Sequence, residues 1–165
     1  MSFLIAAVGA VLASLLETSV LPELRISLNL VLTFSLVSGM LLSVEEGLVW
    51  AFLGGLSLDI FTPGGHPLGT TALCLLLALG GGLLISRLTQ PPRVLTVVVS
   101  VFCLTFLFQA LLTVVLAATA GVQVGGFSFA ATLLTAILNA VLAAIAGRLF
   151  RVLSMRFSPA EHTLR

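Results

Sequence analysis

Long apolar runs, broken by short polar or glycine- and proline-bearing segments, recur along the whole chain. Phe3 to Leu16 forms the apolar part of a first membrane span, followed by Glu17 and a break at Pro22. Glu23 and Arg25 mark an interface there, because charge is cheap at headgroup depth and costly at the bilayer centre. A second run extends from Ile26 to Val44 and ends at the adjacent acids Glu45 and Glu46. Gly47 to Phe61 is a third, 15 residues or about 22 Å at helical rise, with Asp59 near its end. The segment TPGGHPLG, Thr62 to Gly69, places two Pro and three Gly within eight residues, which predicts a turn or a re-entrant bend. Gly69 to Ser86 supplies a fourth span, and Arg87, Pro91, Pro92 and Arg93 the next interface. Val94 to Ala120 and Phe127 to about Phe150 are the fifth and sixth, joined by Gly121 to Gly126. The pattern predicts an all-α integral membrane protein. Its six transmembrane helices form one compact domain over residues 1–150, with a short tail over 151–165.

Composition agrees with this pattern and removes several function classes. Of 165 residues, 59% are hydrophobic and 8% charged, against the roughly 25% charged usual for a soluble domain. The mean hydropathy is +1.27. Six spans consume nearly the whole length, so no aqueous catalytic domain fits. Seven Arg, no Lys and six acids leave a formal net charge of +1, which provides no basic surface for nucleic acid. The first run lacks the basic leading region and processing site of a signal peptide, and reads as a retained span. An even number of crossings puts Arg87 and Arg93 on the same side as Arg148, Arg151, Arg156 and Arg165, and the positive-inside rule makes that side, with both termini, cytoplasmic. The C-terminal arginines fix topology or draw anionic membrane lipids; the cluster is small for a dedicated lipid site.

Candidate chemistry is sparse. Gly47, Ala51, Gly55 and Asp59 recur every fourth residue and share one helix face, as do Gly9, Ala13 and Glu17, and Asn139, Ala143 and Gly147. Small residues in such stripes let transmembrane helices approach closely. Asp59 either makes an organising contact at the Pro-Gly turn, capping nearby backbone donors or holding His66, or reaches solvent as a helix-end acid. Glu17, Gln109 and Asn139 are candidate intramembrane polar contacts, the two amides hydrogen-bonding across the bundle. Cys74 and Cys103 lack the spacing of a metal or redox pair and read as small buried hydrophobes. No His, Cys and acid cluster has metal-ligand spacing, GGHPLG lacks the lysine of a phosphate-binding loop, and no serine has a base at a predictable offset. The residues predict no catalytic group, no metal and no cofactor.

The stretch from Gly47 to Gly69, GLVWAFLGGLSLDIFTPGGHPLG, resembles the signature region of the bacterial rod-shape-determining MreD family. There a glycine-bearing helix leads into a Leu-rich segment with an aspartate, a short turn and a Pro-Leu-Gly element. The matching residues are Gly47, Gly54 and Gly55, then Leu58 and Asp59, and finally Pro67, Leu68 and Gly69. Pro22 to Val44 is similar to the preceding family segment, but carries Asn29 where an acid is common, and the TPGGH turn is longer than usual. The resemblance implies a noncatalytic membrane component of the cell-elongation machinery that maintains rod shape and directs peptidoglycan synthesis. Its implied partners are MreC directly, with RodA, a penicillin-binding transpeptidase and MreB in the same complex, in the bacterial cytoplasmic membrane. It also implies a fold similar to the six-helix substrate-binding components of vitamin transporters. A substrate-binding component of an energy-coupling-factor transporter is therefore the alternative, with a pocket open to the extracytoplasmic side.

Overall fold

The computed structural model describes residues 2–24, 27–62, 67–89, 94–120 and 128–157. They form six α-helices: α1 (Ser2–Leu15), α2 (Leu30–Leu41), α3 (Val44–Phe61), α4 (Thr70–Leu88), α5 (Val94–Ala120) and α6 (Phe129–Phe157). A π-helical turn, Leu16–Val20, prolongs α1. The protein is an all-α, multi-pass membrane bundle. Phe3–Val20, Thr70–Leu88, Val94–Ala118 and Phe129–Phe150 are long and apolar enough to cross a bilayer. His66, Arg25, Arg93, the Gly121 to Gly126 connection and the tail beyond Phe157 lie outside the described residues.

The second and third runs divide differently from the expectation. A helix over Ile26 to Val44 would span a membrane, but α2 has only 12 residues and is about 18 Å long. It ends at Leu41, and Ser43 accepts a hydrogen bond on its side chain from the Glu46 backbone N–H, at 3.2 Å, to start α3. Glu45 and Glu46 therefore occupy the first turn of α3 rather than a loop between spans, where the helix dipole favours acids. Hydropathy cannot find this break, because Leu42 and Ser43 fall inside an unbroken apolar stretch and only the cap marks it. At the other end of the chain, α6 continues through Phe157 rather than stopping at Phe150.

The short helix is the centre of the bundle. Nine of the 12 residues of α2 are buried, and every other helix touches it. Leu32, Leu36 and Val37 meet Leu75 and Leu79 of α4 and Val97 and Val101 of α5 in one core. Its hydroxyls are satisfied locally, Thr33 donating to the Asn29 carbonyl at 2.9 Å and Ser35 to the Leu32 carbonyl at 2.8 Å. In surroundings without water, such back-bonding removes the cost of burying them.

Glycine sets how closely the helices approach. A Cβ on Gly47 would lie 2.6 Å from the Gly39 Cα, so α2 and α3 run backbone to backbone and fold back through two residues. A Cβ on Gly55 would lie 2.5 Å from the Ala72 Cα of α4, and one on Gly54 would strike Val31 of α2. The stripe read from the sequence is thus a seam inside the chain, with Gly47, Ala51, Gly55 and Asp59 all buried. Cys74 is fully buried, but Cys103 is exposed, contrary to the sequence reading. Position on a helix face, which a lone cysteine does not reveal, separates them.

Candidate functional site

Of the residues that carry the resemblance, Gly55, Leu58, Asp59 and Pro67 to Gly69 belong to the α3–α4 junction, whereas Gly47 and Gly54 face α2. Leu58 and Asp59 are both buried at the end of α3. The Asp59 carboxylate accepts hydrogen bonds from the backbone N–H of Gly69 at 2.8 Å and of Thr71 at 3.1 Å. These groups open α4, whose first N–H donors have no partner within the helix. Pro67, Leu68 and Gly69 form the turn before it, closed by the Thr70 N–H on the Pro67 carbonyl at 3.2 Å. Gly69 takes φ +92, which suits glycine alone without strain. Of the two readings of Asp59, the backbone cap is realised.

The three other polar candidates lie around the start of α2. Glu17 lies half-buried on the π turn, and its Oε2 accepts from the Val31 N–H at 3.2 Å. Asn139 of α6 is completely buried; its Oδ1 accepts from the Asn29 N–H at 2.9 Å, and its Nδ2 donates to Thr105 Oγ1 of α5 at 3.1 Å. Thr105 in turn donates to the Val101 carbonyl at 2.8 Å. The start of α2 is therefore held by side chains from α1 and α6, and through Asn139 from α5. It ends inside the protein, and these groups stand in for water at its free N–H donors. Gln109 behaves otherwise: its amide makes no hydrogen bond to the described residues, so the expected cross-bundle contact is not formed.

Above this junction lies a cavity of about 480 Å³. Glu17 and Asn29 form one wall, Thr105 and Gln109 of α5 another, and Thr132 and Thr135 of α6 a third. Leu21, Pro22 and Ser27 border it at the end of the bundle away from Ser2. The threonines went unread in the sequence, although a signal exists. Thr105 precedes Gln109 by four residues, and Thr132, Thr135 and Asn139 recur at three and four, so each set lines one helix face.

Among the described residues, no group of three or more His, Cys, Asp or Glu side chains is placed to hold a metal ion. Comparison with known protein families, with curated proteins and with solved structures finds no match for the chain.

Proposed function

We propose that this protein is a noncatalytic scaffold of the MreD kind in the bacterial cytoplasmic membrane, binding MreC and through it RodA, a penicillin-binding transpeptidase and MreB. The observation that supports the reading is the α3–α4 hairpin. Several residues that carry the resemblance meet there, with Gly55 against Ala72 and Asp59 on the first turn of α4, while Gly47 and Gly54 join α3 to α2. The hairpin's interior is closed by its own packing, so the partner's single span lies on the exposed stripe beside it, Leu48, Phe52 and Ile60. The arginine distribution gives the orientation, with both termini cytoplasmic.

Copurification from native membranes with mass spectrometry of bound proteins tests the assignment. Stoichiometric MreC, reduced severalfold by Phe52→Ala in a bundle that still folds, is the expected result. Full recovery of MreC by that variant would move the contact off α3, and its absence from the wild-type protein would overturn the scaffold. One observation favours a second reading: a 480 Å³ cavity with a partly buried polar wall is what a substrate-binding component of a vitamin transporter requires. Recovery of transporter ATPases and a membrane coupling subunit would select it.

A further inference from the structure

We infer that the cavity above the start of α2 is a binding site for a small organic cation, an ammonium-bearing group that pairs with Glu17. The inference rests on the cavity alone and stands whichever protein partners are recovered. About 480 Å³ falls within the range of small-molecule pockets, roughly 300–1,000 Å³. Its polar groups come from four separate parts of the chain, which is how bundles build ligand sites between helices.

Charge decides the class of ligand. Glu17 is the one ionisable side chain among the described residues that line the cavity. A carboxylate in a membrane interior is costly unless it is balanced. The start of α2 provides part of that balance, since a helix N-terminus carries roughly half a positive charge. The Val31 N–H, with that of Leu30 alongside, leaves lone pairs over from the roughly four of a carboxylate. An ammonium supplies the missing charge and brings donors for those lone pairs.

Two further polar groups face the cavity. Thr132 is only 6% exposed, faces the cavity, and its hydroxyl makes no hydrogen bond to the described residues. The Gln109 amide is likewise unbonded to them. No buried side-chain polar atom lacks a partner among the described residues, so the polar atoms of these two groups open onto the cavity, where an occupant that offers hydrogen bonds reaches them. The three donors of a primary ammonium match the Glu17 carboxylate, the Gln109 carbonyl oxygen and the Thr132 hydroxyl. That chemistry occurs both in free amines and in the ethanolamine headgroup of a phospholipid.

The test uses the full chain in phosphatidylglycerol nanodiscs, with ethanolamine as probe and glycerol and glycolate as neutral and anionic controls of similar size. Ethanolamine should bind saturably by calorimetry and raise the unfolding temperature, and the controls should do neither. Glu17→Gln keeps an oxygen for the Val31 N–H but removes the charge, and should weaken binding at least tenfold. Thr132→Val removes a hydroxyl that holds no described residue, and should weaken binding severalfold in a bundle with unchanged melting. Phosphatidylethanolamine in the nanodisc should compete with the probe if the natural source is a headgroup, and leave it unaffected if the source is a free amine. Equal response to glycerol or glycolate, no saturable binding of ethanolamine, or undiminished binding by folded Glu17→Gln would each overturn the inference.

Discussion

Asp59 and Asn139 show what single polar side chains do inside an apolar bundle. Each holds the backbone at the beginning of a helix it does not belong to, Asp59 that of α4 and Asn139 that of α2. Charge-assisted hydrogen bonds contribute about 1.5–3 kcal/mol, so Asp59→Ala should destabilise the bundle by about 2 kcal/mol. Asp59→Asn retains one acceptor oxygen and should lose less; equal losses in reversible detergent unfolding would mean that the cap contributes nothing beyond packing. For Asn139→Leu, the Asn29 N–H loses its acceptor in a buried site, at a cost of about 1–3 kcal/mol. Coupling between Asn139 and Thr105 should be smaller, near 0.6 kcal/mol and at most about 1.7, because unfolded helices in a membrane find other partners. A double-mutant cycle with Thr105→Val measures it.

At the scale of elements, glycine position rather than glycine number governs packing. Gly55 faces the Ala72 backbone, which cannot withdraw without separating α3 from α4. Gly55→Leu should therefore abolish the folded bundle, seen as loss of a monodisperse species in mild detergent. Gly80, in α4 as well, has nothing within 4 Å of an added Cβ and is exposed. Gly80→Ala should stabilise by up to about 1 kcal/mol, since alanine loses less backbone freedom than glycine in a helix. A destabilised Gly80→Ala would show that this face is covered by something outside the chain. The same reasoning separates α2 from its neighbours: it survives at 12 residues because five helices enclose it.

For the whole molecule, burial sorts the two cysteines into opposite environments. Cys74 is sealed in the core around α2, whereas Cys103 lies on the outer side of α5. A lipophilic maleimide should modify Cys103 in the folded protein and reach Cys74 only after unfolding. Comparable rates at the two thiols would contradict the helix order described above. The six helices alternate in direction, so the starts of α2, α4 and α6 share one end of the bundle. The cavity, the Asp59 cap and the Glu17 junction all lie at that end.

Hydropathy by itself determined that the chain is an all-α membrane protein, the approximate bounds of its long helices, and the stripes of small residues along them. Those properties are legible because they repeat along the chain at helical period, and the energy behind them is the transfer of individual side chains. The capping reading of Asp59 was legible too, since its acceptor and donors are 10 to 12 residues apart across a turn. The central place of α2 was not, because an enclosed helix and a spanning one have the same apolar composition. Nor was the cavity: Glu17, Gln109 and Thr132 are more than 20 residues apart in successive order, and only helix packing brings them around one space. Tertiary structure decided the exposure of Cys103, and that the Gln109 amide bonds to none of the described residues, for the same physical reason. What a side chain faces depends on which helices stand beside it, and that is a property of the assembled bundle rather than of any segment.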